Sequence, residues 1–438
     1  MLSQEQNEAV TRVGAGTPMG ELFRLYWIPF YPGADLPPDG QPKRVKLLGE
    51  DLVAFRDSDG RPGLVANACP HRGAPMIFGR NEECGIRCVY HGWKFDVTGA
   101  PVDMPAEPAN SRLMEKVRLK AYPCRERNGV IWTYMGPDLD NPPRLPEFEW
   151  NLVPAENVYI SYRVQECNWL QALEGEIDSA HAPILHGRID NQGAINDWIA
   201  KKDLRPKFEC LRQPFGVSIA ARRAAGADNF YWRVNQFLLP YWTLVPPQAK
   251  FPELSGHAWI PMDDENTLCL MFSYTPVEPL YPRTRELMET GHKGRETGQA
   301  SRDCYAPKPP TTPYADYWTK FTPENGYRFD SASQRDAWFS GVPGLWVQDA
   351  ACQSLMPIYD RTQENLSATD AGIVMTRRVL LKCAADYRDQ GQRPAGVDDP
   401  QNFLVRAISV HLPRQSAWVE ASAPFMKASL GADFGYAL

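Results

Sequence analysis

Residues 69–93 read CPHRGAPMIFGRNEECGIRCVYHGW, and they restrict the fold more than any other stretch. A Cys-His pair stands at each end, Cys69 with His71 and Cys88 with His91, and sixteen residues separate His71 from Cys88. Two thiolates and two imidazoles so spaced can hold a [2Fe–2S] cluster, with the cysteines on one iron and the histidines on the other. The alternative is a zinc site with the same four ligands. A zinc finger usually gathers its cysteines in one knuckle and its histidines in another, whereas each knuckle here supplies one of each, which favours the cluster. Such ligands belong on loops, where backbone amides can turn toward the sulfurs.

The flanking sequence supplies a scaffold for two loops. RVKLLGEDLVAFRD and RPGLVANACP read as short strands with DSDG as a turn, and strands continue through IRCVYHGWKFDVTGAPV and LKAYPCRERNGVIWTYMG. Residues from about 38 to 137 are therefore expected to form an all-β unit with the Cys-His pairs at its tip. Before it, residues 20–36 read as a short amphipathic helix running into a proline-rich loop. After it, PDLDNPPRLPEF (137–148) reads as a linker, which divides the chain into residues 1–148 and 149–438.

Length and charge bound the rest. With 438 residues there is ample chain for two or three domains, and a net charge of −6 disfavours nucleic acid or an anionic membrane as partner. No window approaches a transmembrane span, and the N-terminus lacks the pattern of a signal peptide. The ten cysteines are scattered, unlike a disulfide framework, so a cytoplasmic location is expected.

Of seven histidines, four fall in two tight groups, the second being His181 and His186. LQALEGEIDSAHAPILHG reads as a helix, on which Asp178 and His181 share a face. His181 and His186 are five apart, which a regular helix would turn away from each other. Pro183 removes an N–H between them, and a widened turn there could align both imidazoles. The plain alternative is two histidines packed on an amphipathic helix. Two histidines and one carboxylate on one face of Fe(II) leave positions open. Asp349, in the mostly apolar helical segment LWVQDAACQ, is the preferred third ligand, because an unpaired carboxylate there would be costly. Asp330, Asp336 and Asp360 are weaker candidates. The segments between 205 and 274 read as an antiparallel sheet with one face on the core.

CPHRG, CVYHGWKFD and the DxxHxxxxH of Asp178, His181 and His186 together resemble the Rieske non-haem iron oxygenases. More narrowly, LYWIPFYP, RVKLLGEDLVAFRD, GRNEECGIRCVYHGWKFD and DMPAEP resemble the phthalate-dioxygenase-like oxygenase subunits that act on aromatic carboxylates, over about residues 20–410. The resemblance implies an α+β chain, with an N-terminal all-β Rieske [2Fe–2S] domain followed by a helix-grip catalytic domain of antiparallel sheet plus helices. It implies that electrons from NADH pass through a separate flavin and iron–sulfur reductase to the cluster and then to one mononuclear Fe(II), where O2 reacts with the ring to give a cis-dihydrodiol. It implies a head-to-tail homotrimer, alone or stacked into a hexamer. Asp178 would carry the catalytic link between centres, accepting hydrogen bonds from His181 of its own chain and His91 of the next. Asn168 and Glu174 would stand near the iron site.

The substrate pocket is expected beside the 160–190 helix, lined by residues such as Phe237, Leu239, Trp242 and Leu244. A substrate carboxylate needs a cation, for which Lys207 is the candidate and Arg233 the runner-up. FLLPYWTLVPP carries no charge where relatives taking the 1,2-diacid are expected to place two arginines. That favours a substituted benzoate, such as 3-chlorobenzoate, over phthalate or isophthalate. A Rieske monooxygenase or O-demethylase of an aromatic acid, and a Rieske electron carrier, are the competing readings.

Overall fold

The computed structural model describes residues 1–108, 110–190, 203–247, 253–290, 302–354 and 356–428. Helices α1 (Gln4–Thr11), α2 (Pro18–Arg24) and α3 (Leu113–Lys116) and a series of tight turns shape the N-terminal part. Strands β2 (Lys43–Leu47), β3 (Glu50–Arg56), β4 (Pro62–Ala66) and β9 (Ala121–Tyr122) form one antiparallel sheet. A second sheet comprises β5 (Arg80–Glu82), β6 (Gly85–Arg87), β7 (Lys94–Phe95) and β8 (Pro101–Asp103). A third orders β1 (Trp27–Pro32), β11 (Val130–Tyr134) and β10 (Cys124–Arg127). Asn128 and Gly129 take φ of 49° and 75° between β10 and β11, the left-handed pair that a two-residue hairpin requires.

Strand β1 corrects the expectation of a proline-rich loop after the first helices. WIPFYP pairs with β11 and buries Trp27, Ile28, Phe30 and Tyr31. Its prolines are tolerated because β1 is an edge strand with an irregularity between Pro29 and Tyr31.

Residues 137–148 are irregular, yet they are fastened to the core. Leu145 and Phe148 are buried, and Phe148 lies 4.4 Å from Trp242 and 5.0 Å from Phe403 between ring centroids. Trp132 of β11 stacks on Trp150 and on Trp242 at 6.0 and 5.8 Å. One apolar cluster therefore runs from β1 and β11 into the C-terminal sheet.

That sheet is antiparallel, in the order β12 (Val158–Gln165), β18 (Thr267–Tyr274), β17 (Leu254–Pro261), β16 (Trp242–Val245), β15 (Asn229–Leu238), β14 (Gly216–Ala225), β13 (Lys207–Gln213). Strand β19 (Ile408–Pro413), which the sequence reading did not propose, pairs with the half of β15 that short β16 leaves open. Register divides the side chains between two faces. Tyr162, Leu270, Ala258 and Trp242 share a row on the face toward the aromatic cluster. Arg163, Cys269 and Trp259 share a row on the other face, which also carries His257, Arg233, Asn235 and Arg223. Helix α4 (Trp169–Ile177) covers this polar face over β16 and β17, and the helix Ala371–Gln390 lies over β13 and β14. Among the described residues no helix is long and apolar enough to cross a membrane.

Candidate metal centres and the cavity between helix and sheet

The two Cys-His loops share one backbone design. The Cys69 N–H donates to the Ala74 carbonyl at 2.9 Å, and the Gly73 N–H returns to the Cys69 carbonyl at 2.8 Å. The Cys88 N–H likewise donates to Trp93 at 2.8 Å, and the Gly92 N–H to Cys88 at 3.0 Å. Gly73 and Gly92 close these loops at φ of 73° and 77°, where a side chain would strain the turn. Both cysteines are 3% exposed. His71 is exposed and His91 partly so, with ring centroids 4.5 Å apart, and His71 stacks on Trp93 at 4.4 Å. Burial pushes the Cys69 thiol up to about 11, and neighbouring Cys88 adds to the push. Burial and the nearby His71 and Arg72 lower the pKa of His91. Two buried sulfurs and two imidazoles nearer the surface suit a two-iron cluster that both pairs would hold.

The second constellation forms where α4 stops. Asn168 caps its start, accepting from the Leu170 N–H at 3.1 Å while its amide donates to the carbonyls of Thr11 and Asp264. The helix ends at Ile177, and Asp178 adopts extended φ/ψ of −83° and 109°. The Asp178 carboxylate accepts the Ala180 N–H at 2.7 Å and the His181 N–H at 3.3 Å, which starts the short helix α5 (Ala182–Leu185). This replaces the expected widened turn at Pro183. The helix is broken instead, and Pro183 sits in the first turn of the new one, where its missing N–H costs nothing. Arg223 holds the break through its two Nη atoms, on the hydroxyl and carbonyl of Ser179 at 3.3 and 2.7 Å.

The break turns both histidines toward Asp349 on the helix Leu345–Gln353. Asp349 Oδ1 lies 3.4 Å from His181 Nε2 and 3.6 Å from His186 Nε2. One donor atom from each of the three residues falls within 4.8 Å of the others. The second ring nitrogens are engaged elsewhere: His181 Nδ1 faces Asp178 Oδ2 at 3.3 Å, and His186 Nδ1 faces Gln348 Oε1 at 2.7 Å. Burial disfavours a charged His181, but Asp178 and Asp349 outweigh it and raise its pKa to about 10. Burial would raise the Asp349 carboxyl, and His186 and His181 instead hold it low. A cation between these groups would meet two nitrogens whose tautomers are set from behind, and one carboxylate. That donor set fits Fe(II).

Other expected residues lie elsewhere. Glu174 turns away from the triad, between Arg361 and Arg377, the latter also paired with Glu364. Asp330 caps the helix Ser331–Asp336, Asp336 is exposed, and Asp360 caps a turn at Thr362. A cavity of about 830 Å³ opens beside the triad, under α4 and against the polar face of the sheet. Arg163, Arg233, His257 and Trp259 line it from the sheet, with Trp346 from the helix of Asp349. Lys207 is exposed at the start of β13 and stands outside this lining. Trp242 and Leu244 point to the opposite face, and Phe237 and Leu239 are buried away from the cavity. Gln348, Arg163 and Arg223 escaped the sequence reading. The signal was a polar residue within an apolar run, which marks a buried polar group without saying what it meets.

Residues 26–123 match the Rieske [2Fe-2S] domain, and residues 133–283 and 312–433 match the LigXa C-terminal domain like family. The chain belongs to the Rieske non-haem iron oxygenase subunits with this C-terminal domain. Within them it is 36% identical over 428 residues to the oxygenase subunit of 3-chlorobenzoate-3,4-dioxygenase from Comamonas testosteroni, covering 96% of this chain and 98% of that one. It is 36% identical over 410 residues to the oxygenase subunit of phthalate 4,5-dioxygenase from Pseudomonas putida, covering 89% and 87%. A solved structure of the reduced complex between oxygenase and ferredoxin in carbazole 1,9a-dioxygenase shares the fold, with a TM-score of 0.56 at 18% identity over 90% of this chain and 97% of that one.

Proposed function

We propose that this chain is the oxygenase component of a dioxygenase that adds both atoms of O2 to the ring of a substituted benzoate, such as 3-chlorobenzoate, forming a cis-dihydrodiol. The observation that carries the reading is the cavity, which has two imidazoles and a carboxylate on one wall and buried cationic donors on another. The similarity to a chlorobenzoate dioxygenase subunit over nearly the whole chain supports the substrate class. Cys69, His71, Cys88 and His91 hold the [2Fe–2S] cluster, and His181, His186 and Asp349 hold the mononuclear Fe(II). When bound, the cluster supplies single electrons and the ferrous ion binds and activates O2.

The chain's own residues set the conditions for that chemistry. Asp178 and Gln348 keep a proton on each Nδ1, so each Nε2 stays a lone-pair donor. The Asp178 side chain is 22% exposed, open to a hydrogen bond from outside the chain. Exposed Ile184 and Ile189 follow Asp178 in the chain, exposed Phe339 is bonded through its N–H to Gly187, and exposed Val89 and Tyr90 precede His91 in its loop. Two such patches on one chain suit a head-to-tail homotrimer, in which His91 of the partner subunit reaches Asp178. NADH serves through a separate flavin and iron–sulfur reductase. None of the ten cysteines is in a disulfide, which suits a reducing cytoplasm.

The test is turnover with a generic reductase and NADH over benzoate, chlorobenzoates and the three phthalate isomers, with the product trapped. A cis-diol is expected. A phenol with formaldehyde from a methoxybenzoate would identify an O-demethylase instead, and iron confined to the cluster would identify an electron carrier.

A further inference from the structure

The sheet face that should seal the core against α4 carries three buried arginines, Arg163, Arg223 and Arg233. Two are accounted for. Arg223 holds Ser179, and Arg233 has a partner of its own. Arg163 differs. It is 1% exposed, and its guanidinium lies 4.9 Å from the ring centroid of Trp346 and 5.6 Å from that of Trp259. Of its donors, one Nη meets Gln165 Oε1 at 3.0 Å, the other meets only the Met271 sulfur, and Nε meets nothing. A thioether is a weak acceptor, so most of the five N–H groups lack a strong partner. Among the described residues no carboxylate pairs with it at ion-pair distance. A buried guanidinium without a carboxylate is costly, and it lines the cavity that also holds His181, His186 and Asp349.

We propose that Arg163 receives the carboxylate of the aromatic substrate and so directs the ring toward the His181–His186–Asp349 end of the cavity. This rests on the reading of an aromatic acid as substrate. The other cations near the cavity serve less well. Arg283 is exposed at its rim, and His257 Nδ1 lies 3.1 Å from Glu176 Oε1. The trapped guanidinium offers a planar donor fork to a planar carboxylate, which a surface lysine does not. The two indoles beside it form apolar walls for the arene.

Equilibrium binding to the purified holo-oxygenase tests this, read by the fluorescence of the flanking tryptophans. The probes are 3-chlorobenzoate and its neutral analogue 3-chlorotoluene. Arg163→Gln should weaken 3-chlorobenzoate about thirtyfold, the worth of one charge-assisted hydrogen bond, and leave 3-chlorotoluene and the iron content unchanged. Arg163→Lys, which keeps the charge but loses the fork, should fall between, and it decides the matter if the Gln variant does not fold. Unchanged affinity for 3-chlorobenzoate overturns the proposal. Equal loss of both ligands together with iron also overturns it, and makes Arg163 an electrostatic support of Asp349. A wild-type protein that binds 3-chlorotoluene but not 3-chlorobenzoate refutes the aromatic-acid reading itself, and the anchor with it.

Discussion

Replacing Gln348 with leucine should loosen mononuclear iron from an otherwise folded chain. Gln348 is fully buried, one residue before Asp349. Its carbonyl oxygen accepts from His186 Nδ1 at 2.7 Å, and its amide donates to the Val342 carbonyl at 2.8 Å. The second bond matters as much as the first, because it stops the amide from flipping and presenting a donor to the ring. With the oxygen held toward Nδ1, the imidazole proton stays there and Nε2 faces Asp349. Leucine fills nearly the same volume but accepts nothing, so both tautomers become available and the ring loses one restraint. Partners of this kind are worth about 10- to 100-fold in metal affinity, or about 1.4–2.7 kcal/mol. Competition titration of Fe(II) against a chelator measures the loss, and the visible spectrum of the cluster, on loops remote in sequence, reports that the fold survives. Gln348→Glu retains an acceptor facing Nδ1 and should keep more of the affinity than leucine does. Affinity within about threefold of wild type in the leucine variant would refute the argument that Gln348 sets the His186 tautomer.

Asp178→Asn should leave both metal centres filled while turnover falls by at least about tenfold, since the amide has one acceptor oxygen where the carboxylate offers two, already shared between the Ala180 and His181 N–H groups and the His181 ring; steady-state rates beside iron content check it, and near-normal turnover removes Asp178 from the electron path. Glu174→Gln should cost about 3 kcal/mol, because it leaves Arg361 and Arg377 buried with only Glu364 as counter-charge. Burial would raise the Glu174 carboxyl, but Arg361 and Arg377 hold it below its ordinary range. Its folded value is thus depressed, so its contribution is complete above the ordinary carboxylate pKa of about 4.3 and is lost as pH falls through the lowered value. Denaturant melts of both proteins across this range should converge in acid, and a gap that stays constant would show that charge is not the cause.

The parts of this protein legible in its sequence are those whose chemistry is local. The Cys-x-His-x-Gly and Cys-x-x-His-Gly runs carry a cysteine, a histidine and the glycine of their own turn within a few residues, so loop and candidate donors could be read together. Asp178, His181 and His186 were legible for the same reason. Asp349 was reached by asking what a carboxylate does in an apolar helix. The break after Ile177 was not legible, because a proline in a helical pattern reads equally as a kink within one helix or the first turn of another. Asp178 decides between them by capping the second helix, while Arg223, from a strand some forty residues on, holds Ser179 in the gap.

What only the tertiary structure decided is which side chains face the cavity. Adjacent residues in a strand point to opposite faces, so a one-residue change of register exchanges core and pocket. Trp242 and Leu244 look like pocket walls in the sequence and lie on the far face, whereas Arg163, in an unremarkable strand, lies inside. Lys207 follows a proline and opens a strand as expected, yet that strand ends the sheet order and leaves the lysine in water. The sequence by itself determined the two Cys-His pairs and the Asp178, His181, His186 run, because spacing along a loop or a helical turn is a property of neighbours. The pocket and its charges were decided by strand pairing and by a helix laid across it, which are contacts between residues tens to hundreds of positions apart.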